Sequence, residues 1–447
     1  MTYLLIIFII LILPLLTILL FKILPFLTAK PTISADYLTE YNTITKPSNY
    51  DPNENAAPYY QKAFEALVDI PEDIKEFAQA WPGDMNEVEL NVRQTWLSSN
   101  SDSLRYLKEA SQKPYCWIQR QSADNAIFNI EVFELSKLRG ATWCLSLQAK
   151  LSAYQGSVDQ AFDHVLDLHK IGSHCSGPVT LVEQLVGVAI CQIAFDSAYQ
   201  ILGRIDMNSD IMEIFQIKIE QQLQQAKPLN FSIGEDIYSL DSAQRMFTDD
   251  GNGDGQLIPS KLYKLKKESP LLPSTCYARA IMICLNHPGR RETIQLHQKI
   301  YKNLDALVEQ TPWQLRQQGT SYDDQIQKMT EGNYLLTNAT ASMGTICEIY
   351  QRKNTSAEAL LATLAILRHK ADTGSCPARL QDLLALGYLK DLPIDPYSGQ
   401  PLVYKTTGED FTLYSIGANF TDNGGVPSEW GEGEEGGDQV FWPVERY

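Results

Sequence analysis

None of the eight cysteines (Cys116, Cys144, Cys175, Cys191, Cys276, Cys284, Cys347 and Cys376) sits in a Cys-x-x-Cys pair, which removes zinc ribbons and thioredoxin-type redox sites from consideration. The nucleophile elbow G-x-S-x-G, the zinc helix H-E-x-x-H, the phosphate loop GxxxxGK[ST] and a G-x-G-x-x-G following a strand are also missing. The common local signatures of serine hydrolases, metalloproteases and nucleotide-binding enzymes are therefore not there. Basic residues are in the minority, 37 against 54 acidic ones, for a net charge of −17 and a pI near 4.8. Such a chain lacks the basic surface that a phosphate backbone requires, which excludes a general nucleic-acid binder. The same balance argues against attachment to anionic lipid through overall charge.

What is present is ordinary for a folded protein: 447 residues, 44% hydrophobic and 20% charged. That length accommodates two or three domains and a substantial core. An even cysteine count permits disulfides without assigning them, and Cys144, Cys191 and Cys284 fall in apolar helical patterns, where buried thiols are expected.

The chain begins with an apolar run over residues 3–21, and Lys22 is its first charged side chain. A run of that length just crosses a hydrocarbon core about 30 Å thick. It has no basic start, and Leu27-Thr28-Ala29 is a poor signal-peptidase site, so the reading is an uncleaved anchor with the rest of the chain exported. Lys22 and Lys30 would pull the opposite flank towards the cytoplasm, so charge does not settle orientation. Residues 31–53 are rich in Thr, Pro and Asn and read as a tether.

From Asn55 onward the apolar residues recur at helical steps, with Pro71, Pro82 and Pro114 between the segments. Trp143, Leu147, Leu151 and Tyr154 share a helix that Gly156 closes, and Ala161, Val165 and Leu168 start the next. This helix–glycine–helix unit resembles a tetratricopeptide-like hairpin. The stretch 179–201 is almost continuously apolar but contains Glu183, Gln184, Gln192 and Asp196, the pattern of a central core helix. His164, His169 and His174 advance five residues at a time, about 140° round a helix, and so do not share a metal-binding face.

The sharpest local motif is the DGNGDGQL run at 250–257. Calcium loops of the EF-hand type place oxygen ligands at positions one, three and five, glycine at six and an aliphatic residue at eight. Asp250, Asn252, Asp254, Gly255 and Leu257 fit that order, whereas position twelve is Lys261 and Pro259 interrupts the exit. Calcium on Asp250, Asn252 and Asp254 stands against an ion-free Asp/Asn/Gly turn.

Near the C-terminus a helix with its seam at Leu360, Leu361, Leu364 and Leu367 ends at Gly374. It leads into CPARLQDLLALGYLKDLPIDPYSGQPLVYK, then FTLYSIGANFTDNGG, then an acidic glycine-rich loop closing on GGDQVFW. Asp395-Pro396 and Ser398-Gly399 predict a turn, and residues 402–405 and 411–416 predict two strands. This order resembles the globular domain of the major pseudopilin of type II secretion systems over roughly the last quarter of the chain. The resemblance implies a calcium-binding loop with Asp422 and Asp438 as side-chain ligands and Asn423 as a further candidate. Repulsion within GEGEEGG is consistent with a cation there. The chain departs from the family at residues 1–20, which lack the Gly-Phe leader and the helical Glu of a pseudopilin.

The expectation is thus a mainly α protein with an N-terminal transmembrane helix, a large helical domain and a small C-terminal α+β pseudopilin-like module. The divisions are 1–28 anchor, 29–53 linker, 54–333 helical domain and 334–447 long helix plus module. The preferred function is a binding or scaffold protein of the cell envelope, held in the membrane by its N-terminal helix, stabilised by calcium and facing a protein partner. Two further readings stay open: a component of a type II secretion or pilus-like machine, and an envelope enzyme whose site is assembled from distant helices.

Overall fold

The computed structural model describes Thr17 and residues 24–68, 71–130, 134–177, 179–268, 276–407, 410–427 and 436–443. The expected anchor at residues 3–21 lies, apart from Thr17, outside the described residues. The helices of ten residues or more are α1 (Ala57–Ala66), α2 (Glu87–Ser99), α3 (Ser101–Ser111), α4 (Leu135–Tyr154), α5 (Val158–His174) and α6 (Leu181–Arg204). They continue as α7 (Ser209–Gln225), α8 (Ser232–Met246), α9 (Pro259–Glu268), α10 (Tyr277–Asn286), α11 (Arg290–Leu307) and α12 (Met343–Thr373). The protein is mainly helical, with one small sheet near its C-terminus.

Sequence-local chemistry sets many boundaries. Asn86 caps α2 reciprocally with Glu89, and Thr180 caps α6 with Glu183, so two orphan helical N–H groups are satisfied at each start. Gly374 ends α12 in the left-handed region at φ 79°, as the sequence pattern anticipates. The expected helix over 334–370 is broken: Tyr334–Ala339 is separate, and α12 begins only at Met343.

Helix α6 is, among the described residues, the one helix long and apolar enough to cross a membrane. It packs instead against α4, α5 and α12, burying Ile190, Phe195, Ala198 and Ile201. Helices α5 and α6 cross at a glycine contact. A Cβ on Gly172 would lie 2.8 Å from Gly187 O and 2.7 Å from Cys191 Sγ, and one on Gly187 would lie 2.6 Å from Gly172 O. The α4–α5 hairpin turns at Gly156, which adopts φ 85°. All eight cysteines are free thiols, and Cys144, Cys191 and Cys284 are buried as expected.

The sheet is an antiparallel meander of β1 (Val403–Thr407), β2 (Asp410–Ser415) and β3 (Gln439–Trp442). Two of its strands are legible in sequence; β3 is the returning end of the acidic loop. Phe411 stacks on Trp442 with ring centroids 5.3 Å apart, and β2 and β3 lie on α12. One apolar core runs from Ala56 through α4–α7 and α12 to Trp442, so the sheet shares the core of the helical body.

The segment read as a tether is in part folded. Residues Tyr37–Thr45 form a helix capped by Asp36, whose carboxylate accepts from Thr39 N at 3.1 Å. Tyr41 is buried and clusters with Ile127 and Ile237, while Gln244 of α8 holds the backbone of Ser34 and Ala35. Two buried aromatic and aliphatic side chains, Leu38 and Tyr41, anchor the helix where Thr-, Pro- and Asn-rich composition had predicted none.

The α5–α6 contact yields a direct test. Gly187→Ala forces a methyl into backbone and lowers the unfolding free energy by about 1–3 kcal/mol in a urea titration. A loss below about 0.5 kcal/mol, the level of an ordinary surface change, would mean that the two helices separate freely.

Candidate functional site

Carboxylates placed on backbone amides are the recurring chemical feature of this fold, and the two candidate cation loops are instances of it. In the 250–257 loop, Asp250 Oδ1 accepts from Asn252 N (2.8 Å) and Asp254 N (3.1 Å). Asp249 Oδ1 accepts from Gly251 N at 2.8 Å, and its other oxygen is paired with Arg290 Nη1 at 2.8 Å. Asp254 Oδ1 accepts from Gly255 N and, at 3.1 Å, from Arg291 N. The Arg291 guanidinium reaches Asn252 O at 2.5 Å. Helix α11 starts at Gly289, which has no side chain to cap it, so Asp254 caps that helix from 35 positions upstream. Hydrogen bonds from backbone N–H groups, foremost Asn252 for Asp250 and Arg291 for Asp254, hold both carboxyls below the usual carboxylate range.

The two candidate carboxylates, Asp250 and Asp254, each hold backbone amides through Oδ1, while the Arg290 guanidinium pairs with Asp249 and that of Arg291 with the Asn252 carbonyl. The residue at the bidentate position of a calcium loop is Lys261. The loop positions Asp250, Asn252 and Asp254 together, but around a helix N-terminus.

The C-terminal loop is different. Asp438 is fully buried, accepting from Asn423 N (3.1 Å) on one oxygen and Gly425 N (2.6 Å) on the other. Asp422 Oδ1 accepts from Tyr414 Oη and Gly424 N, both at 2.8 Å. Asn419 bridges the two arms of the loop, donating to Asn423 Oδ1 at 2.8 Å and to the Gly436 carbonyl. Burial, together with the negative charge of Asp422, raises the Asp438 carboxyl above its ordinary value, against the pull of its two amide donors. The nearby cation is Lys405, whose ammonium is hydrogen-bonded to Tyr414 Oη. Asp422 and Asp438 are thus brought together with no arginine between them, and Asn423 contributes its backbone N–H. Among the described residues no group of three or more His, Cys, Asp or Glu side chains forms a metal cluster.

A third carboxylate of the module, Asp395, is buried and complete. It accepts from Tyr397 N (2.9 Å), Ser415 Oγ (2.8 Å) and Ile416 N (3.0 Å), joining the DPYSG turn to the end of β2. Trp313 N donates to Pro396 O at 2.9 Å, and Gly399, at φ 68°, faces the Trp313 ring so closely that a Cβ would lie 2.6 Å away.

Several groups carry no sequence signal. Arg120 and Glu183 form a buried ion pair, and Lys150 is buried with its ammonium on the carbonyls of Ala78 and Gln79. A crevice of about 20 Å³ opens between α5, α6 and α12, lined by His169, Cys191, Lys227 and Lys353 among others. It has room for about one water, so it admits no substrate in this conformation. A broader depression of about 390 Å³ lies beside α10, between Arg279, Met282 and Tyr334.

Two of the three α5 histidines, His169 and His174, are buried and hydrogen-bonded within the helical body. His174 Nε2 donates to Lys113 O at 2.8 Å, which leaves Nδ1 to accept from Tyr60 Oη at 2.7 Å. His169 Nδ1 lies 2.7 Å from Gln222 Oε1. Burial pushes both imidazoles down to about 4. The unfolded chain takes up protons on these residues near pH 6.5, so between that value and about 4 it binds more protons than the folded chain. Stability therefore falls as pH drops through that window and levels off below it. Asp167, pushed up to about 6 by burial, works in the opposite sense above its ordinary pKa. In urea titrations between about pH 7 and pH 4.5, His174→Gln removes close to one proton from the slope; an unchanged slope would show that His174 is protonated in the fold. Separately, Asp254→Ala uncaps α11 and costs about 1–2 kcal/mol, measured by the same titration with and without a chelator and equal in both.

No protein-family model matches the chain, and no curated protein or solved structure is significantly similar to it.

Proposed function

We propose that the protein is a binding or scaffold protein of the cell envelope. Residues 3–21 anchor it in the membrane, the helical body is carried outside the cytoplasm, and a pseudopilin-like C-terminal module is stabilised by calcium. The observation that carries the calcium part is the fully buried Asp438 carboxylate beside Asp422. A buried carboxylate beside an exposed one is disfavoured in its charged form unless a cation or a proton intervenes, and Asp438 is buried beside the exposed Asp422. Asp422 and Asp438 would hold the ion, with loop carbonyls completing an all-oxygen shell of the kind calcium requires. When bound, the ion supplies charge neutralisation and ties the return strand β3 to the 419–425 turn. That turn is also where Asn419 and Asn423 meet, so the metal would act on stability of the module rather than on any reaction.

The scaffold reading rests on what surrounds this loop. The core is continuous from the helical body into the sheet, and the crevice of about 20 Å³ between α5 and α12 holds no more than a water. A rigid body with a metal-stiffened edge suits the display of a surface.

Thermal unfolding of the full chain in detergent, in calcium and in chelator, tests the reading. With calcium about tenfold above its dissociation constant the folded state gains about 1.4 kcal/mol, and the gain disappears in Asp438→Ala and Asp422→Asn. Asp254→Ala lowers the melting temperature while leaving the calcium increment intact. An increment that survives both C-terminal substitutions, or that is absent from the unsubstituted protein, overturns the calcium-stabilised module.

A further inference from the structure

Helix α10 is apolar on both sides. Its inner face buries Ala280 and Cys284 against a small core made with Phe247, Leu257 and Leu262, and Phe26 packs on that same core. Its outer face presents Ala278, Ile281, Met282 and Leu285, positions one and two helical turns apart that fall on one stripe. Met282 and Leu285 are 60% and 62% exposed, and Tyr277 at the start of the helix is 36% exposed. Exposed apolar side chains occur elsewhere, such as Val88 and Val92 on α2. Two independent features set α10 apart.

The first is charge. Residues 259–279 contain Lys261, Lys264, Lys266, Lys267 and Arg279 against one acid, Glu268, in a chain of net charge −17. Lys261 and Lys264 on α9 and Arg279 on α10 are exposed, and the two helices pack on each other. The second is where the described chain begins. The helix Leu24–Leu27 lies on α9, with Phe26 in the core beneath α10 and Leu24 half exposed. Residues 3–21, the apolar run, immediately precede it. A membrane anchor at residues 3–21 would therefore join the body next to the basic and apolar surface of α9 and α10.

We propose that α9 and α10 form a lipid-contacting platform that rests on the anionic headgroup layer of the bilayer holding the N-terminal segment. Met282 and Leu285 enter the boundary between headgroups and acyl chains, and Lys261, Lys264 and Arg279 sit at lipid phosphates. An interfacial helix of this kind combines an apolar face with flanking basic residues, and its basic residues keep their charges at headgroup level while their stems cover apolar surface. The inference rests on residues 3–21 being an anchor, and it adds which face of the body touches the membrane.

The test uses the full chain in nanodiscs of phosphatidylcholine with and without phosphatidylglycerol, carrying a photo-reactive phenylalanine analogue at position 282, at 285 or, as a control, at 88. Expected are lipid adducts at 282 and 285 in anionic discs at several times the yield at 88, detected by mass. Lys261→Glu with Lys264→Glu reduces the yield at 282 by about fivefold or more, since each basic residue near such a surface is worth about one such factor. Extraction with alkaline carbonate is run on the same preparations. A chain that resists extraction yet gives no lipid adduct at 282 or 285 overturns the platform and leaves the anchor standing. A chain that is extracted by carbonate overturns the anchor and, with it, the platform beside that anchor. Adducts at 282 to a second copy of the chain overturn the platform in favour of a protein interface.

Discussion

Two helices buried along most of their length, α6 and α12, control the architecture. A helix with one apolar stripe needs one partner, whereas a helix buried all round must be covered all round. Helix α6 is covered by α4, α5 and α12, and α12 by α6, α7 and the sheet. The C-terminal strands are therefore a cover for α12 as well as a module in their own right: Leu413, Phe411 and Phe441 belong to the same core as Leu145 and Ile201. The Gly172–Gly187 contact allows the closest of these approaches, and the covering would open there first if a side chain were added.

Three buried or half-buried carboxylates show how one device can take different electrostatic forms. An anion removed from water must regain in hydrogen bonds and opposite charge what it loses in hydration. Asp254 regains it from the amides of Gly255 and of the α11 N-terminus and from the Arg291 charge. Asp395 regains it from three donors, one of them the Ser415 hydroxyl. Asp438 has two amide donors and a neighbouring carboxylate, and burial with that second charge holds its carboxyl above the ordinary value. At Asp438 the neighbouring Asp422 charge works against the amide donors and Lys405, which is the electrostatic ground for the calcium proposed there.

What could be read from the sequence was what is encoded within a turn or two. The exit of α12 at Gly374, the Gly156 hairpin, the core character of α6 and the turn around Asp395 all follow from local residue chemistry. What could not be read depends on distant partners. The DGNGDG run reads locally as a metal loop, and its capping of α11 through Arg291 N, with Arg290 on the adjoining Asp249, lies some 40 residues away. The helix Tyr37–Thr45 was hidden in tether-like composition because its stability comes from Ile127 and Ile237. Strand β3 is four residues long, and it is defined by pairing with β2 across the acidic loop. Arg120 and Glu183 are 63 positions apart, and neither has a neighbour in sequence that announces the pair.

Net charge says little about any one contact, because it averages over distances that salt does not allow charges to span. At physiological ionic strength the Debye length is about 8 Å, so a surface meets a bilayer through the charges within about that distance of the contact. The acidic excess of the whole chain then has little bearing on what α9 presents. It does bear on orientation: acidic faces brought against anionic headgroups would be repelled, and Lys261, Lys264 and Arg279 mark a face that would not be. On the proposed reading, with residues 3–21 as an anchor, the body would otherwise be free to tilt, and the charge asymmetry of α9 and α10 would select one tilt. A single-pass protein of that kind would hold a fixed aspect to its membrane without a second span.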